Sequence, residues 1–587
     1  MTQRVWFIVC LALIGLSGCM KDTPTKQEKV SLPTHSLGVV KPVTSCQQLQ
    51  SVDLSSIGGM GSQITQAQLI RNHQGHTVCE VSGQLAPTIG FKVQLPTQNW
   101  TQRYMQLGCG GLCGRVNLMV GAAEQCPTIN NSEFVLASTD MGHQGNSSDF
   151  GYDPQKRIDF AYRSVHITSI AAKAIIQAYY GQTAKYAYFN GCSDGGREAL
   201  MEAQRFPDDF DGIIAGAPAM NFSVQNSMHH GWLARSNQDD QGHAILHAND
   251  MPILHQAVLE QCDALDGLKD GLINDPRACH FDPSTTLCKP GQTTACLTAQ
   301  QVDAANKIYQ GPHDEKTGIA LALGAPMPGS ELAWPGVFVP QAGGDDIFSV
   351  QIAESALQTL VFEHNPRHFE LSQLKFDIAT FDKLRPLYGL YSAVDPDLSA
   401  FKHHGGKLIL WHGWSDPHIS PINSIAYYQA VQNTMGKASQ DSFMKFYLIP
   451  GMYHCFGGDG PSAFDLVTPM LNWVEQGSAP NQVLAQQYNH SQLNGAGAPV
   501  EKKDRMPSST RENENLQVVR SRPLYPYPQT AIYKGEGDPN LASSFTSKLD
   551  TQVTDTTWAG SNFYQPNQQL NCQAEKQQLK CVQRQSH

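Results

Sequence analysis

An apolar run, Tyr186-Ala187-Tyr188-Phe189, breaks at once into Gly191-Cys192-Ser193-Asp194-Gly195-Gly196 and then into the helix-like stretch Arg197 to Arg205. A strand that turns this sharply into a helix leaves the chain little freedom. The spacing Gly191-x-Ser193-x-Gly195 suits a tight turn whose glycines let neighbouring backbone approach and whose central hydroxyl is exposed at the tip. An incidental serine in a glycine-rich loop is the plainer reading, and the strand before and helix after it argue against that.

The surroundings fit one sheet. From 46 to 218 short apolar runs alternate with helical stretches: strand-like Gly90 to Leu95, Arg103 to Gly108 and Phe134 to Ser138, then a long helical pattern from about Asp159 to Tyr180. Residues 219–395 change texture, with four cysteines, many Gly and Pro and no regular alternation, and read as an inserted lid domain. Alternation returns in 396–548, at Lys407 to Trp411 and Phe443 to Ile449, each run ending in a polar turn. Residues 549–587 form a polar C-terminal extension. The expected fold class is α/β, an α/β-hydrolase sheet with helices on both faces and a large inserted lid.

A serine hydroxyl is a poor nucleophile until a positioned base takes its proton, and the base needs an acid to fix its tautomer. In this fold they follow as Asp and then His after later strands. Asp416 does so in Leu408-Ile409-Leu410-Trp411-His412-Gly413-Trp414-Ser415-Asp416, and His454 in Tyr447-Leu448-Ile449-Pro450-Gly451-Met452-Tyr453-His454. Among 21 histidines, position after a strand in the right order singles out His454, with His412 and His418 the nearest rivals. Cys192 precedes the serine and Cys455 follows the histidine. If Ser193 and His454 meet, these two cysteines lie close, and in an oxidising compartment a disulfide would hold the pair in register.

Cys192-Ser193, Asp416 and His454-Cys455 resemble the arrangement of the tannase and feruloyl esterase family, which includes a mono(2-hydroxyethyl) terephthalate hydrolase. The similarity runs from about Cys46 to Phe545 and takes in Arg103 to Gly114, Gly405 to Pro421, Arg522-Pro-Leu-Tyr-Pro-Tyr-Pro, and Tyr533-Lys-Gly-Glu-Gly-Asp. The resemblance implies an oxyanion hole from the amide of Asp194 with Gly110 or Gly111 in Gly108-Cys109-Gly110-Gly111. It implies a structural lid calcium held by Asp263, Asp266 and Asp270 with the carbonyls of Leu268 and Leu272; from composition alone these would be a solvated acidic loop. It implies the disulfides Cys46 with Cys79, Cys192 with Cys455, Cys262 with Cys279, and Cys288 with Cys296. Tyr525 and Ser547 stand where the family has a further bridge, and Cys572 and Cys581 are expected to pair locally in the extension. Of Cys109, Cys113 and Cys126, one is expected to be free.

The implied activity is hydrolysis of a small ester of an aromatic acid, feruloyl, galloyl or related. The long stretch from Ser193 to Asp416 leaves room for a cap over a flat ring. Trp334, Phe338 and Phe348 are candidates for that slot, although aromatics there are more often core. An intact Ser, Asp and His argue against the rival reading, a binding protein or differently specific esterase-like protein on the same scaffold. No His-Glu-x-x-His, His-x-x-Glu-His or Cys-x-x-Cys pattern supports a metallohydrolase.

With 41 Lys and Arg against 52 Asp and Glu, the net charge of -11 offers no basic field for nucleic acid. Residues 1–18 read as a lipoprotein signal peptide: Arg4 starts it, Val5 to Ile14 is too short to span a bilayer, and Leu16-Ser17-Gly18-Cys19 resembles the bacterial lipobox, with lipidation at Cys19. Residues 19–45 then form a tether, and membrane contact is expected through the lipid alone. With Cys10 and Cys19 set aside, 13 of 15 cysteines lie in the body of an exported chain, either anchored, in the outer membrane by expectation, or periplasmic or extracellular.

Overall fold

Nine strands make the central sheet, in the order β1-β2-β3-β5-β4-β6-β7-β8-β9. The computed structural model describes residues 36–341, 344, 347–366, 368–489 and 517–584. The signal at 1–18, Cys19 and the first part of the tether lie outside the described residues. Strands β1 (Gln63–Arg71), β2 (Thr77–Leu85) and β3 (Ile89–Pro96) are antiparallel neighbours. β3 pairs antiparallel with β5 (Phe134–Thr139). From there β5, β4 (Arg103–Leu107), β6 (Tyr186–Cys192), β7 (Gly212–Gly216), β8 (Lys407–Gly413) and β9 (Met444–Ile449) run parallel. Their carboxyl ends share one edge, where crevices of open α/β sheets form.

The parallel strands are apolar on both faces because both are covered. Along β8, Leu408 and Leu410 enter one core with the helices Ser164–Tyr180, Asp194–Arg205 and Ile422–Met435. Ile409 and Trp411, of opposite parity, enter a second core with the helix Val467–Gln476. The long helix expected from Asp159 begins with a wider π turn over Asp159–Arg163 before the regular helix Ser164–Tyr180. The carbonyls of Phe160 and Ala161 in that turn accept hydrogen bonds from the Arg197 guanidinium.

Residues between β7 and β8 add no strand to the sheet. They carry helices including Met251–Cys262, Ala299–Gln310 and Phe348–Thr359, and a core of their own around Leu233, Leu254, Ile308, Trp334 and Phe338. Near the C-terminus, the Cys572–Cys581 bridge closes the hairpin Leu570–Glu575 and Gln578–Gln583. Arg584 donates to the carbonyls of Gln204 and Arg205, which end the Asp194–Arg205 helix and have no intrahelical partner. No helix among the described residues is long and apolar enough to cross a membrane.

One buried ion pair ties β4 to the helix behind it. Arg103 donates through Nε and Nη2 to the two Glu475 oxygens, both at 2.7 Å, with both side chains almost fully buried. Removing one partner strands a buried charge, so Arg103→Met is expected to cost about 3–5 kcal/mol. Thermal or denaturant unfolding of Arg103→Met and of the Arg103→Met/Glu475→Leu double variant should show the second recovering part of the loss. A single variant as stable as the parent contradicts this role.

Candidate active site

Ser193 sits between the last residue of β6 and the first of the Asp194–Arg205 helix, at φ 66° and ψ −122°. Non-glycine residues rarely adopt a positive φ, and such strain persists only where surroundings enforce it. Here the enforcement is steric. A Cβ on Gly191 would stand 2.3 Å from the Gly195 carbonyl oxygen, and one on Gly195 would stand 2.8 Å from the Cys109 carbonyl oxygen. Hydrogen bonds hold the turn: Ser193 N–H donates to Gly216 O at 3.0 Å and Gly195 N–H to Cys109 O at 2.7 Å.

Three side chains meet at the strand ends. The Ser193 hydroxyl lies 2.8 Å from His454 Nε2, and His454 Nδ1 lies 2.6 Å from Asp416 Oδ2. An ionised carboxylate only accepts, so Nδ1 carries the ring proton and Nε2 faces the hydroxyl as an acceptor. The second oxygen, Asp416 Oδ1, accepts the amides of His418 at 2.8 Å and Ile419 at 3.0 Å. Burial alone would raise the Asp416 pKa, but the imidazoles of His454 and His412 hold it well below the usual carboxylate range. Asp416 is therefore ionised at any physiological pH. The Cys192–Cys455 disulfide joins the residues flanking Ser193 and His454, with Cα atoms 5.9 Å apart.

The loop after β4 faces the same place. The amides of Gly110 and Gly111 donate to no acceptor among the described residues. The amide of Asp194 is the first of its helix and so lacks an intrahelical acceptor. Both groups of donors suit a developing negative charge. Asp194 is pinned from behind: its carboxylate takes Arg197 Nε at 2.6 Å and Nη2 at 3.0 Å, a buried bidentate pair. One turn further on, Glu198 accepts the Cys109 amide at 3.3 Å. Burial, then the nearby Asp194 charge, push the Glu198 carboxyl well above its ordinary range. Neither Arg197 nor Glu198 stood out in the sequence; their spacing along the helix that follows Ser193 was the only signal.

The described bridges include Cys46–Cys79, Cys262–Cys279 and Cys288–Cys296. Cys109 pairs with Cys113 across the glycine loop, which leaves Cys126 as the free, buried thiol among the described residues. Burial pushes that thiol up to about 12, so it is inert near neutral pH.

The aromatic candidates separate. Trp334 and Phe338 pack with each other, Trp334 packs on Tyr309, and its indole N–H donates to Ser330 Oγ at 2.9 Å, so both belong to the lid core. Phe348 lies edge-on to His418 at 4.9 Å, and His418 is 4.8 Å from the His454 ring. Lid residues His229 and His230 are buried beside this group, and burial draws the His229 imidazole down to about 4.

In the acidic loop, Asp263 accepts the amides of Asp270 and Gly271, Asp266 accepts that of Leu268, and Asp270 pairs with Arg522. Burial, with Asp270 and Asp263 close by, raises Asp266 to about 6. Arg522 pairs with the Asp270 carboxylate and Arg520 donates to the Asp270 carbonyl, and Gly267 and Gly271 turn at φ 92° and 78°. The side chains of Asp263, Asp266 and Asp270 offer oxygen donors alone, the chemistry that suits a hard divalent cation.

A family profile described as tannase and feruloyl esterase matches residues 72–548. The chain is similar to an uncharacterized esterase of Xanthomonas campestris pv. campestris, 33% identical over 514 residues, covering 80% of this chain and 84% of the relative. It is also similar to the mono(2-hydroxyethyl) terephthalate hydrolase of Piscinibacter sakaiensis, 32% identical over 535 residues, covering 80% and 84%. The crystal structure of feruloyl esterase B from Aspergillus oryzae superposes with a TM-score of 0.71 at 26% identity, covering 86% of this chain and 100% of that one.

The Cys192–Cys455 bridge joins two neighbours of the site, the last residue of β6 and the residue after His454. Replacing both cysteines with serine is expected to lower ester turnover at least tenfold while moving the melting temperature by only a few degrees, roughly the effect of 2–5 kcal/mol in a chain of this size. Turnover equal to the parent's would show the bridge to be incidental.

Proposed function

Because the chain belongs to the tannase and feruloyl esterase family, a family of carboxylic ester hydrolases, we propose that it is a serine esterase cutting esters of aromatic carboxylic acids through an acyl-enzyme. The observation that carries this reading is the unbroken hydrogen-bonded line from Ser193 through His454 to Asp416, at the end of three parallel strands. His454 Nε2 takes the Ser193 proton as Oγ attacks the ester carbonyl carbon. Asp416 balances the imidazolium that forms. The oxyanion is held by the Asp194 amide with that of Gly110 or Gly111. As the tetrahedral intermediate collapses, His454 returns the proton to the departing alkoxide and the alcohol leaves. A water, deprotonated by His454, then attacks the acyl-serine, and the free acid departs.

The aromatic acid half is proposed from the names of the relatives and from the lid. Feruloyl esterases and a terephthalate half-ester hydrolase share an aromatic acyl group, and the lid sets Phe348 against His418 beside the triad. A ring held there excludes water and strengthens the oxyanion contacts. Calcium belongs to the same reading: Asp263, Asp266 and Asp270, with the carbonyls of Leu268 and Leu272, would hold it, and it would brace the lid without entering the chemistry. The disulfides fit an oxidising compartment, in accord with export and with a lipid on Cys19.

A panel of purified-enzyme assays tests the substrate class. Methyl ferulate or methyl gallate should be turned over far faster than methyl esters of short aliphatic acids, and Ser193→Ala should lose about 10⁴-fold or more in kcat with its fold intact. Preference for acetate and butyrate esters would sink the aromatic assignment and leave the triad standing; near-normal turnover by Ser193→Ala would move the nucleophile elsewhere. For calcium, metal analysis after mild purification should find about one ion per chain. Prolonged chelation and Asp266→Ala should each lower the melting temperature. Metal-free protein with an unchanged melting curve would refute the site.

A further inference from the structure

His412, one of the rival bases in the sequence, lies on the far side of the same carboxylate. Its Nε2 is 3.1 Å from Asp416 Oδ2, the oxygen that also takes His454 Nδ1, and 2.9 Å from the Ile419 carbonyl oxygen. Both neighbours of Nε2 are acceptors, so Nε2 must carry a proton. On the other edge of the ring, Nδ1 lies 2.8 Å from the Ser424 hydroxyl, which suits a neutral ring accepting from Ser424. The ring has no exposed surface. Strand pleating puts it there: His412 has the parity of Leu408 and Leu410 on β8, and so points to the face covered by the Ile422–Met435 helix that carries Ser424.

We propose that His412 is a positioning residue of the hydrolytic machinery, clamping Asp416 in one orientation and limiting how strongly that carboxylate draws the His454 proton. This inference rests on the triad reading above. With His412 in place, Asp416 accepts four hydrogen bonds: the His418 and Ile419 amides on Oδ1, and His454 and His412 on Oδ2. Each donor stabilises the anion and makes it a weaker partner for an imidazolium. Removing one leaves a more basic carboxylate, which holds the proton on His454 to higher pH. The other groups around this cluster are Ser193 from the elbow, His418 from the same loop, and His229 and His230 from the lid. His229 and His230 are driven down by burial and stay neutral through the range where the rate changes.

The test is a kcat and KM series against pH on the full-length enzyme. His412→Phe keeps the ring and removes both nitrogens; His412→Gln restores an N–H at the place of Nε2. For His412→Phe, kcat should fall about 10- to 100-fold with KM within about twofold, and the acidic limb of kcat/KM should move up by about half a pH unit. His412→Gln should recover most of both changes. If His412→Phe does not fold, Ser424→Ala, which frees Nδ1 and loosens the ring, should shift the limb the same way by less. A limb superimposable on the parent's, a loss confined to KM, or a glutamine variant no better than the phenylalanine one would overturn the proposal. Failure of the triad reading itself looks different, since the Ser193→Ala enzyme would then retain its turnover.

Discussion

Three stretches of backbone touch at one point: the Gly191–Gly195 turn, the Gly108–Cys109 end of β4 and the Gly216–Pro218 end of β7. The contacts leave no room for a methyl group. A Cβ on Gly108 would come within 2.5 Å of Gly195 Cα, and one on Gly196 within 2.3 Å of Gly216 O. That closeness forces Ser193 to φ 66°, lifts its hydroxyl clear of the sheet, and brings the glycine loop and the first amide of the following helix to the same side. Because β4, β6, β7, β8 and β9 are parallel, the loops carrying Asp416 and His454 emerge at that same edge. The chemistry follows from where these strands end.

Burial then decides the charge of each group. Desolvation penalises an ion unless partners offset it, and the site uses both outcomes. Glu198, buried under the glycine loop beside Asp194, has its carboxyl pushed well above the ordinary range. Asp194 has both of its oxygens gripped by the buried Arg197 guanidinium. Among the described residues Asp416 takes its hydrogen bonds from two imidazoles and two backbone amides and from no guanidinium. An acid stabilised by neutral donors can answer a change in the charge of His454, which a fixed ion pair would mask.

Much of this was legible in the sequence where local pattern and local structure coincide. Strand followed by Gly-x-Ser-x-Gly followed by helix describes the turn at Ser193, and Asp416 and His454 each follow an apolar run that forms a strand. The cysteines beside Ser193 and His454 required only that these two residues meet. What was not legible depends on register and packing. Whether His412 faces Asp416 turns on which side of β8 its parity selects and on which helix lies there. The Cys109–Cys113 pairing depends on how tightly the glycine loop folds back. Trp334 and Phe338 stood between slot and core, with core the commoner outcome, because apolar rings in a loop-rich segment say nothing about whether they face a ligand or one another; the lid core claims them, and Phe348 alone of the three reaches the histidines.

In the proposed mechanism Ser193 carries the acyl group during turnover. Acid-quenching the enzyme within milliseconds of mixing with a feruloyl or galloyl ester, followed by peptide mass spectrometry, measures that directly. An acyl adduct is expected on the peptide containing Ser193, absent from Ser193→Ala and accumulating most for an ester with a good leaving group. An adduct on another residue, or burst-phase product release with Ser193 unmodified, would contradict it.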